Sequence, residues 1–287
     1  MRYLRPESFE AAAQALYEEQ GLARILAGGT DVLVQLKSEV VEPDLLVDLK
    51  HLDGMREIIE EDGGYRIGAA VPGAALGEHR GVQALWPGVV EAVELIGSTQ
   101  VQGRATMVGN LCNGSPAADS VPAMIAADAI ARVQGPAGTR DVPVADIPTG
   151  PGKTSLAKGE FVSSVFLPAR PDRASDAYLR FIPRTEMDIA VSSAAVSLAL
   201  DADGTCLAAR VAVGAVAPTV RLVEAAGAAL VGSKLDGSAL DAMTAAVEAA
   251  CSPIDDKRGT IEFRTKTAGV LARRAALIAQ SRAGDRT

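Results

Sequence analysis

The sequence predicts an α+β protein of two domains, residues 1–175 and 176–287. With 287 residues, 48% of them hydrophobic and 22% charged, the chain can bury one large core or two modest ones. Up to a seam at 168–175, where proline, arginine, aspartate and serine cluster, short apolar runs alternate with helical stripes. Beyond the seam strand-like runs come first and helical segments follow, which is typical of a sheet covered by helices.

Residues 1–55 predict a small βαβ-like lobe. Pro6 and Ser8 favour the start of a helix, and an apolar stripe follows them as far as Gly21, which can terminate it. Residues 22–27 are typical of a buried strand and run directly into two glycines and a second helical stripe. A further apolar run at 45–49 completes the strand–helix–strand order.

Residues 56–175 predict a larger, mixed α/β lobe of the same domain. Apolar runs at 65–70, 130–133 and 161–167 are typical of strands, whereas the spacing at 86–96 and 122–129 favours helices. The segment 136–158 is rich in glycine, proline and threonine. We therefore expect it to be a loop with little regular structure.

Residues 176–287 predict a smaller domain that contains a three-stranded antiparallel sheet and helices. The runs at 190–200 and 208–217 are separated by Asp201-Ala202-Asp203-Gly204, which indicates a hairpin. Helical spacing follows at 220–231, 237–251 and 261–279, and a charged tail ends the chain.

The composition excludes several classes of function. A net charge of −8, a pI near 5.0 and only 3% aromatic residues argue against nucleic-acid binding, which needs cations and stacking platforms. Three scattered cysteines and two histidines cannot supply an iron–sulfur cluster or a four-ligand zinc site, and they suit a reducing compartment. No signal-like start or uncharged apolar stretch of about 18 residues occurs. We therefore expect a cytoplasmic protein without direct membrane insertion, at most peripheral to the inner membrane through a partner.

The first motif is Ala27-Gly28-Gly29-Thr30-Asp31, where a strand enters a helix. Such a turn exposes backbone N–H groups at the positive end of a helix dipole, and glycine lets the backbone approach a diphosphate closely. The alternative is a plain strand-to-helix turn with Thr30 or Asp31 as the N-cap. The motif is neither a GxGxxG fingerprint nor a P-loop.

The second motif spans residues 105–122, ATMVGNLCNGSPAADSVP. Small, amide and hydroxyl residues fill this stretch between two apolar helices, and it contains no lysine or glutamate. That composition fits either a buried polar ligand or a structural loop. In the first case Asp119 would accept a hydrogen bond from a ligand hydroxyl.

These two motifs, about 80 residues apart, resemble those of the FAD-binding medium subunit of the molybdenum hydroxylases, a family that includes carbon monoxide dehydrogenase and bacterial xanthine dehydrogenases. Two later segments are also similar to that family: YLRFIPRTEMDIA at 178–190, and the stretch from Asp255 to Arg264. The ordered set covers nearly the whole chain. It implies that 1–175 is the FAD-binding domain and 176–287 the C-terminal domain of a flavoprotein subunit.

The resemblance places the cofactor on matching positions of this sequence. Residues expected to bind FAD are Ala27, Gly28, Gly29, Thr30, Asp31, Val32, Thr106, Gly109, Asn110, Ser115, Asp119, Val162 and Arg180. Val108 departs from the family, which usually has a second glycine there, and a positive φ would disfavour valine. Arg180 stands where lysine is frequent, and Asp31 is assigned first to helix capping because its charge would repel a diphosphate.

The resemblance further implies the flavin subunit of a multi-subunit oxidoreductase, with no catalytic residue or metal of its own. A small subunit with two [2Fe-2S] clusters would deliver electrons from a large molybdenum-cofactor subunit, in a dimer of heterotrimers. FAD would pass the electrons to NAD⁺, a quinone, a cytochrome or O₂. Two alternatives stay open: a self-contained FAD oxidase or reductase, and a scaffold subunit that has lost the flavin, suggested by Val108.

Overall fold

The N-terminal lobe is built on a small parallel sheet. The computed structural model describes residues 1–286. The elements of this lobe are β1 (Arg2–Leu4), α1 (Phe9–Glu18), β2 (Ala23–Leu26), α2 (Val32–Lys37) and β3 (Leu45–Asp48). β3 lies in the centre and pairs in parallel with both neighbours. Ser8 caps α1, since its Oγ accepts from the Ala11 N–H at 3.1 Å, so the predicted helix start and βαβ order are confirmed.

The second lobe holds a five-stranded antiparallel sheet in the order β4-β5-β10-β6-β7. Its strands are β4 (Ile58–Glu61), β5 (Gly64–Gly68), β6 (Ile130–Gly135), β7 (Gly138–Pro143), β8 (Pro148–Gly150), β9 (Lys153–Thr154) and β10 (Phe161–Leu167), of which β8 and β9 form a separate hairpin. Its helices are α3 (Gly73–Glu78), α4 (Arg80–Leu85), α5 (Pro87–Glu94), α6 (Thr99–Gln102), α7 (Met107–Cys112) and α8 (Ser120–Ala126).

The expected loop at 136–158 is wrong. Most of it forms β7, a short 3-10 helix at Val144–Asp146, and the hairpin of β8 and β9. β7 is an edge strand whose side chains are mostly exposed, so its residues need no apolar alternation. The glycine, proline and threonine content therefore indicates a solvated edge, not the absence of structure.

The C-terminal domain packs three helices on an antiparallel sheet. The elements are β11 (Ala174–Phe181), β12 (Ser192–Leu200), β13 (Cys206–Gly214), β14 (Arg221–Leu222), α9 (Glu224–Leu230), α10 (Gly237–Ala250) and α11 (Ile261–Gly284). The predicted hairpin is present, but the sheet gains a fourth strand, β14, of two residues. α11 continues into the segment expected to be a charged tail, because Arg282 lies over β11 and donates to the Asp176 carbonyl at 2.9 Å.

The structure contains two apolar cores. The first joins both N-terminal lobes and extends to Tyr178, Ala195, Ala212 and Val220 on the C-terminal side, and the second lies between the sheet of β11–β14 and helices α9–α11. The predicted α+β fold is confirmed by this arrangement. No helix among residues 1–286 is both long and apolar enough to cross a membrane.

Candidate functional site

The first glycine motif lies directly against the second motif. A Cβ added to Gly28 would lie 2.1 Å from the carbonyl oxygen of Arg104, so only glycine allows this backbone-to-backbone approach. Gly29 has φ +80, and its Cβ would lie 2.9 Å from the Cδ1 atoms of Leu26 and Leu33. Packing against backbone therefore requires glycine at position 28, whereas at position 29 it is the positive φ that favours glycine.

Helix α2 begins at this turn without a side-chain cap. Asp31 occupies the N-cap position, but its carboxylate makes no capping hydrogen bond, so the capping role expected for it is wrong. The first helical bond runs from the Leu33 N–H to the Gly29 carbonyl at 3.0 Å. The amides of Thr30, Asp31 and Val32 precede it and have no acceptor within the helix, which leaves them as donors.

The second motif forms the start of helix α7, which explains Val108. The Thr106 Oγ1 accepts from the Gly109 N–H at 2.8 Å and caps the helix. Val108 follows inside α7, has a negative φ as helical residues do, and is 4% exposed. Valine is compatible with this backbone. A Cβ on Gly109, in contrast, would lie 2.8 Å from the Thr106 Oγ1, so glycine is required at the second position of the pair.

Both motifs line one cavity of about 680 Å³ between the two N-terminal lobes. Ten of the predicted residues lie in its wall, namely Ala27, Gly28, Gly29, Thr30, Asp31, Val32, Thr106, Gly109, Asn110 and Val162. A third wall segment lies at 152–161, where every residue except Lys153 and Ser155 lines the cavity. The sequence assigned only Val162, directly after this segment, to the site. The glycines at 152 and 159 are the sequence feature that could have indicated this segment. Their φ values of +69 and +87 mark turns that bring it to the cavity.

Three predicted residues, Ser115, Asp119 and Arg180, lie outside the cavity wall. The Asp119 carboxylate accepts from Arg180 Nη1 at 2.7 Å and from the Tyr178 hydroxyl at 2.9 Å, joining the two domains. Asn110 connects the cavity to this cluster, because its Oδ1 accepts from the Ser120 hydroxyl at 2.8 Å. The amide Nδ2 of Asn110 has no partner within residues 1–286, so it remains a donor.

Burial raises the pKa of Asp119 to about 6, although Arg180 opposes the shift. A carboxyl whose folded pKa exceeds its ordinary value of 3.8 stabilises the fold most at low pH and loses that contribution as the pH rises towards 6. We expect the unfolding free energy of wild type, relative to that of D119N, to fall by about 2 kcal/mol between pH 4 and pH 7. Denaturant titrations of the cofactor-free proteins measure this, with exposed Asp203→Asn as control; parallel curves for wild type and D119N would contradict it.

The ionisable groups of the cavity are not arranged for acid–base or nucleophilic chemistry. Glu19 is bound by Arg2, and Glu160 by Arg140 Nη2 at 2.8 Å. Burial raises the pKa of the Cys112 thiol to about 12, so the thiol stays protonated at neutral pH. No histidine or tyrosine of residues 1–286 lines the cavity. The wall is suited to holding a molecule in place and not to proton transfer.

The cavity fits FAD in size and chemistry. Its volume of about 680 Å³ lies within the range usual for cofactor pockets. Backbone amides at 30–32 suit a diphosphate, and the amide group of Asn110 suits hydroxyl or carbonyl oxygens. The half-buried side chains of Ile25, Ile96 and Leu156 offer an apolar surface for a flat ring. No group of three His, Cys, Asp or Glu side chains placed to hold a metal ion occurs in the described part of the chain.

Comparison with known proteins gives the same assignment. A family model described as "FAD binding domain in molybdopterin dehydrogenase" matches residues 1–170, and one described as "CO dehydrogenase flavoprotein C-terminal domain" matches residues 177–279. The chain is 35% identical over 281 residues to the carbon monoxide dehydrogenase medium chain of Afipia carboxidovorans, covering 98% of this chain and 97% of that one. It is 34% identical to the putative xanthine dehydrogenase FAD-binding subunit of Escherichia coli strain K12, covering 88% and 87%.

The fold agrees as closely as the sequence. A chain in the crystal structure of the cyanide-inactivated Cu,Mo-CO dehydrogenase superimposes with a TM-score of 0.93 at 35% identity, covering 98% of each chain. The resemblance predicted from the order of the motifs is confirmed. The chain therefore belongs to the family of FAD-binding medium subunits of the molybdenum hydroxylases.

Proposed function

We propose that this chain is the electron-transfer subunit of a multi-subunit molybdenum hydroxylase, and that it receives electrons at FAD from an iron–sulfur subunit and passes them to a terminal acceptor. One observation carries the proposal: both family motifs line a single cavity whose wall, within residues 1–286, contains no histidine or tyrosine, whose Glu19 and Glu160 are held by arginines, and whose thiol stays protonated. The remaining carboxylate of the wall, Asp31, stands at the start of α2 in the first motif, so a cofactor held there would supply the redox chemistry itself.

The chain's own residues bind and orient the cofactor. The amides of 30–32 would hold the diphosphate, and Thr106 and Gly109 fix the start of α7 beside it. Apolar side chains of both lobes exclude water from the ring. Val162 and Asn110 face the same cavity from β10 and α7, whereas Asp119 and Arg180 support its wall through the bond from Ser120 to Asn110.

FAD, when bound, supplies the redox chemistry, since a flavin takes up and releases electrons singly or in pairs. The partners would be an iron–sulfur small subunit with two [2Fe-2S] clusters and a molybdenum-cofactor large subunit, as a dimer of heterotrimers. Similarity to medium chains and FAD-binding subunits over nearly the full length supports this assembly. The domain division at 175/176 stays a prediction, supported by the family matches to 1–170 and 177–279.

The proposal predicts the result of purification from the native source. The chain is expected to elute with two other polypeptides, one carrying iron–sulfur clusters and one carrying molybdenum, and with one FAD for each copy of this chain. Metal analysis, flavin absorbance and mass spectrometry of the complex measure this. The isolated chain, loaded with FAD, is expected to oxidise none of the substrates that the complex oxidises.

Other results would favour the alternatives. A chain that purifies alone and turns over substrate with its own flavin is a self-contained oxidase or reductase. A complex in which this chain carries no FAD identifies a scaffold subunit. Either result would overturn the electron-transfer role.

A further inference from the structure

The cavity wall contains two cationic side chains without a carboxylate partner. Arg24 lies on β2 and Lys158 on the segment after β9. Among residues 1–286 neither forms an ion pair with an acidic side chain. The only polar contacts found for them are the bond of Arg24 Nη1 to the Ala23 carbonyl at 3.2 Å and the position of Lys158 Nζ over the Tyr17 ring, 5.9 Å from its centroid.

Most acidic side chains of the same wall are paired with arginines that lie outside the wall. Glu19 is bound by Arg2 and accepts from the Gly21 N–H at 2.9 Å. Glu160 is held by Arg140 and accepts from the Ala157 N–H at 2.8 Å. Within residues 1–286 only Asp31 among these acids remains without a cation, so the cavity offers two cations against one free carboxylate. The charge of the wall therefore favours an anionic ligand, although the whole chain carries −8.

The fold places Lys158 at the cavity by a close contact. A Cβ on Gly159 would lie 2.8 Å from the Cβ of Tyr17, so the backbone after Lys158 is pressed against α1. The ring of Tyr17 then supports the ammonium group. The backbone position of Arg24 is fixed by the pairing of β2 with β3, in which Arg24 lies opposite Leu46. Both cations are held by regular structure or close packing on walls that also carry Gly28 and Gly29.

We propose that Arg24 and Lys158 are charge partners of the diphosphate of FAD and supply part of the affinity for it. The inference rests on the proposed function, because it takes FAD as the occupant of the cavity. Backbone amides alone would leave the charge of the diphosphate uncompensated beside Asp31. Two long, flexible cations can compensate it from either wall, and their contribution is screened by salt.

The test is a titration of the cofactor-free chain with FAD at several salt concentrations, followed by flavin fluorescence. Arg24→Gln and Lys158→Gln are each expected to raise the Kd for FAD about tenfold, and the double variant more. The slope of log Kd against log salt becomes shallower in each. Charge-conserving Arg24→Lys and Lys158→Arg are expected to retain near wild-type affinity. Lys153→Gln, an exposed lysine of the same region outside the cavity wall, is the matched control.

The outcomes separate this inference from the proposed function. A double variant that binds FAD within twofold of wild type, or with an unchanged salt slope, overturns the charge role alone. If K153Q weakens FAD binding as much as Arg24→Gln or Lys158→Gln, the charge role is also overturned. The effect would then come from the surface charge in general. A wild-type chain that binds no FAD at all removes the proposed function, and this inference with it. Riboflavin, which lacks phosphate, is expected to bind the variants as it binds wild type.

Discussion

Gly28→Ala is expected to weaken FAD binding about 10- to 100-fold. The added methyl group would lie 2.1 Å from the Arg104 carbonyl oxygen and 3.2 Å from the Ala105 Cα, so backbone and not a flexible side chain must move. Forcing extra volume into such a contact typically costs about 1–3 kcal/mol. The two cofactor motifs meet at this contact. Pushing them apart therefore changes the shape of the cavity that binds FAD.

The measurement is a FAD titration of the cofactor-free variant, with circular dichroism to verify that it folds. Gly29→Ala is expected to have a smaller effect, since its Cβ would meet only the mobile ends of Leu26 and Leu33, although φ +80 still strains it. Gly237→Ala is the matched control: Gly237 lies in α10, where an added Cβ would meet no other part of residues 1–286 within 4 Å, so FAD affinity is expected to stay unchanged. Wild-type affinity in G28A would show that the two motifs need not touch.

The parts of the fold that local sequence determines were predictable. Capping by Ser8, the apolar run of β10 and the Asp201–Gly204 turn each depend on residues close in the chain. The order of four motifs, each weak alone, predicted the family. The cavity residues at 27–32 and 106–110 followed from the same motifs, because each motif is a continuous segment that the structure keeps intact.

What sequence reasoning missed depends on contacts distant in the chain. The wall segment at 152–161 reaches the cavity because Gly114 lies beside Gly152, with the Gly152 N–H donating to the Gly114 carbonyl at 2.9 Å. Position 28 requires glycine because the backbone of Arg104, immediately before the second motif, lies against it. Asp119 and Arg180 were placed at the flavin by resemblance, but in the structure they bond to each other outside the cavity wall.

A second long-range contact, between Arg170 and Asp176, joins the two domains. Arg170 Nη1 lies 2.8 Å from Asp176 Oδ1, and both side chains are 4% exposed. The guanidinium stacks over Trp86, 3.9 Å from the ring centroid, and also donates to Ser197 Oγ at 3.1 Å. Asp176 further accepts from the Val89 N–H at 3.1 Å, so the pair connects α5 of the first domain with β11 and β12 of the second.

Asp176→Asn is expected to lower the free energy of unfolding by about 3–5 kcal/mol, because it leaves Arg170 as a buried charge without a counter-ion. That is a large share of the stability of a typical domain. Chemical denaturation of the cofactor-free chain measures the loss. The exposed pair of Arg132 and Asp141 gives a control, since Asp141→Asn is expected to cost under about 1 kcal/mol.

Combining Arg170→Met with Asp176→Asn removes the isolated charge, so the double variant should lose less than the sum of the single losses. Additive losses, or a D176N variant as stable as D141N, would contradict the prediction. Either result would show that the buried pair does not stabilise the domain junction more than an exposed pair does.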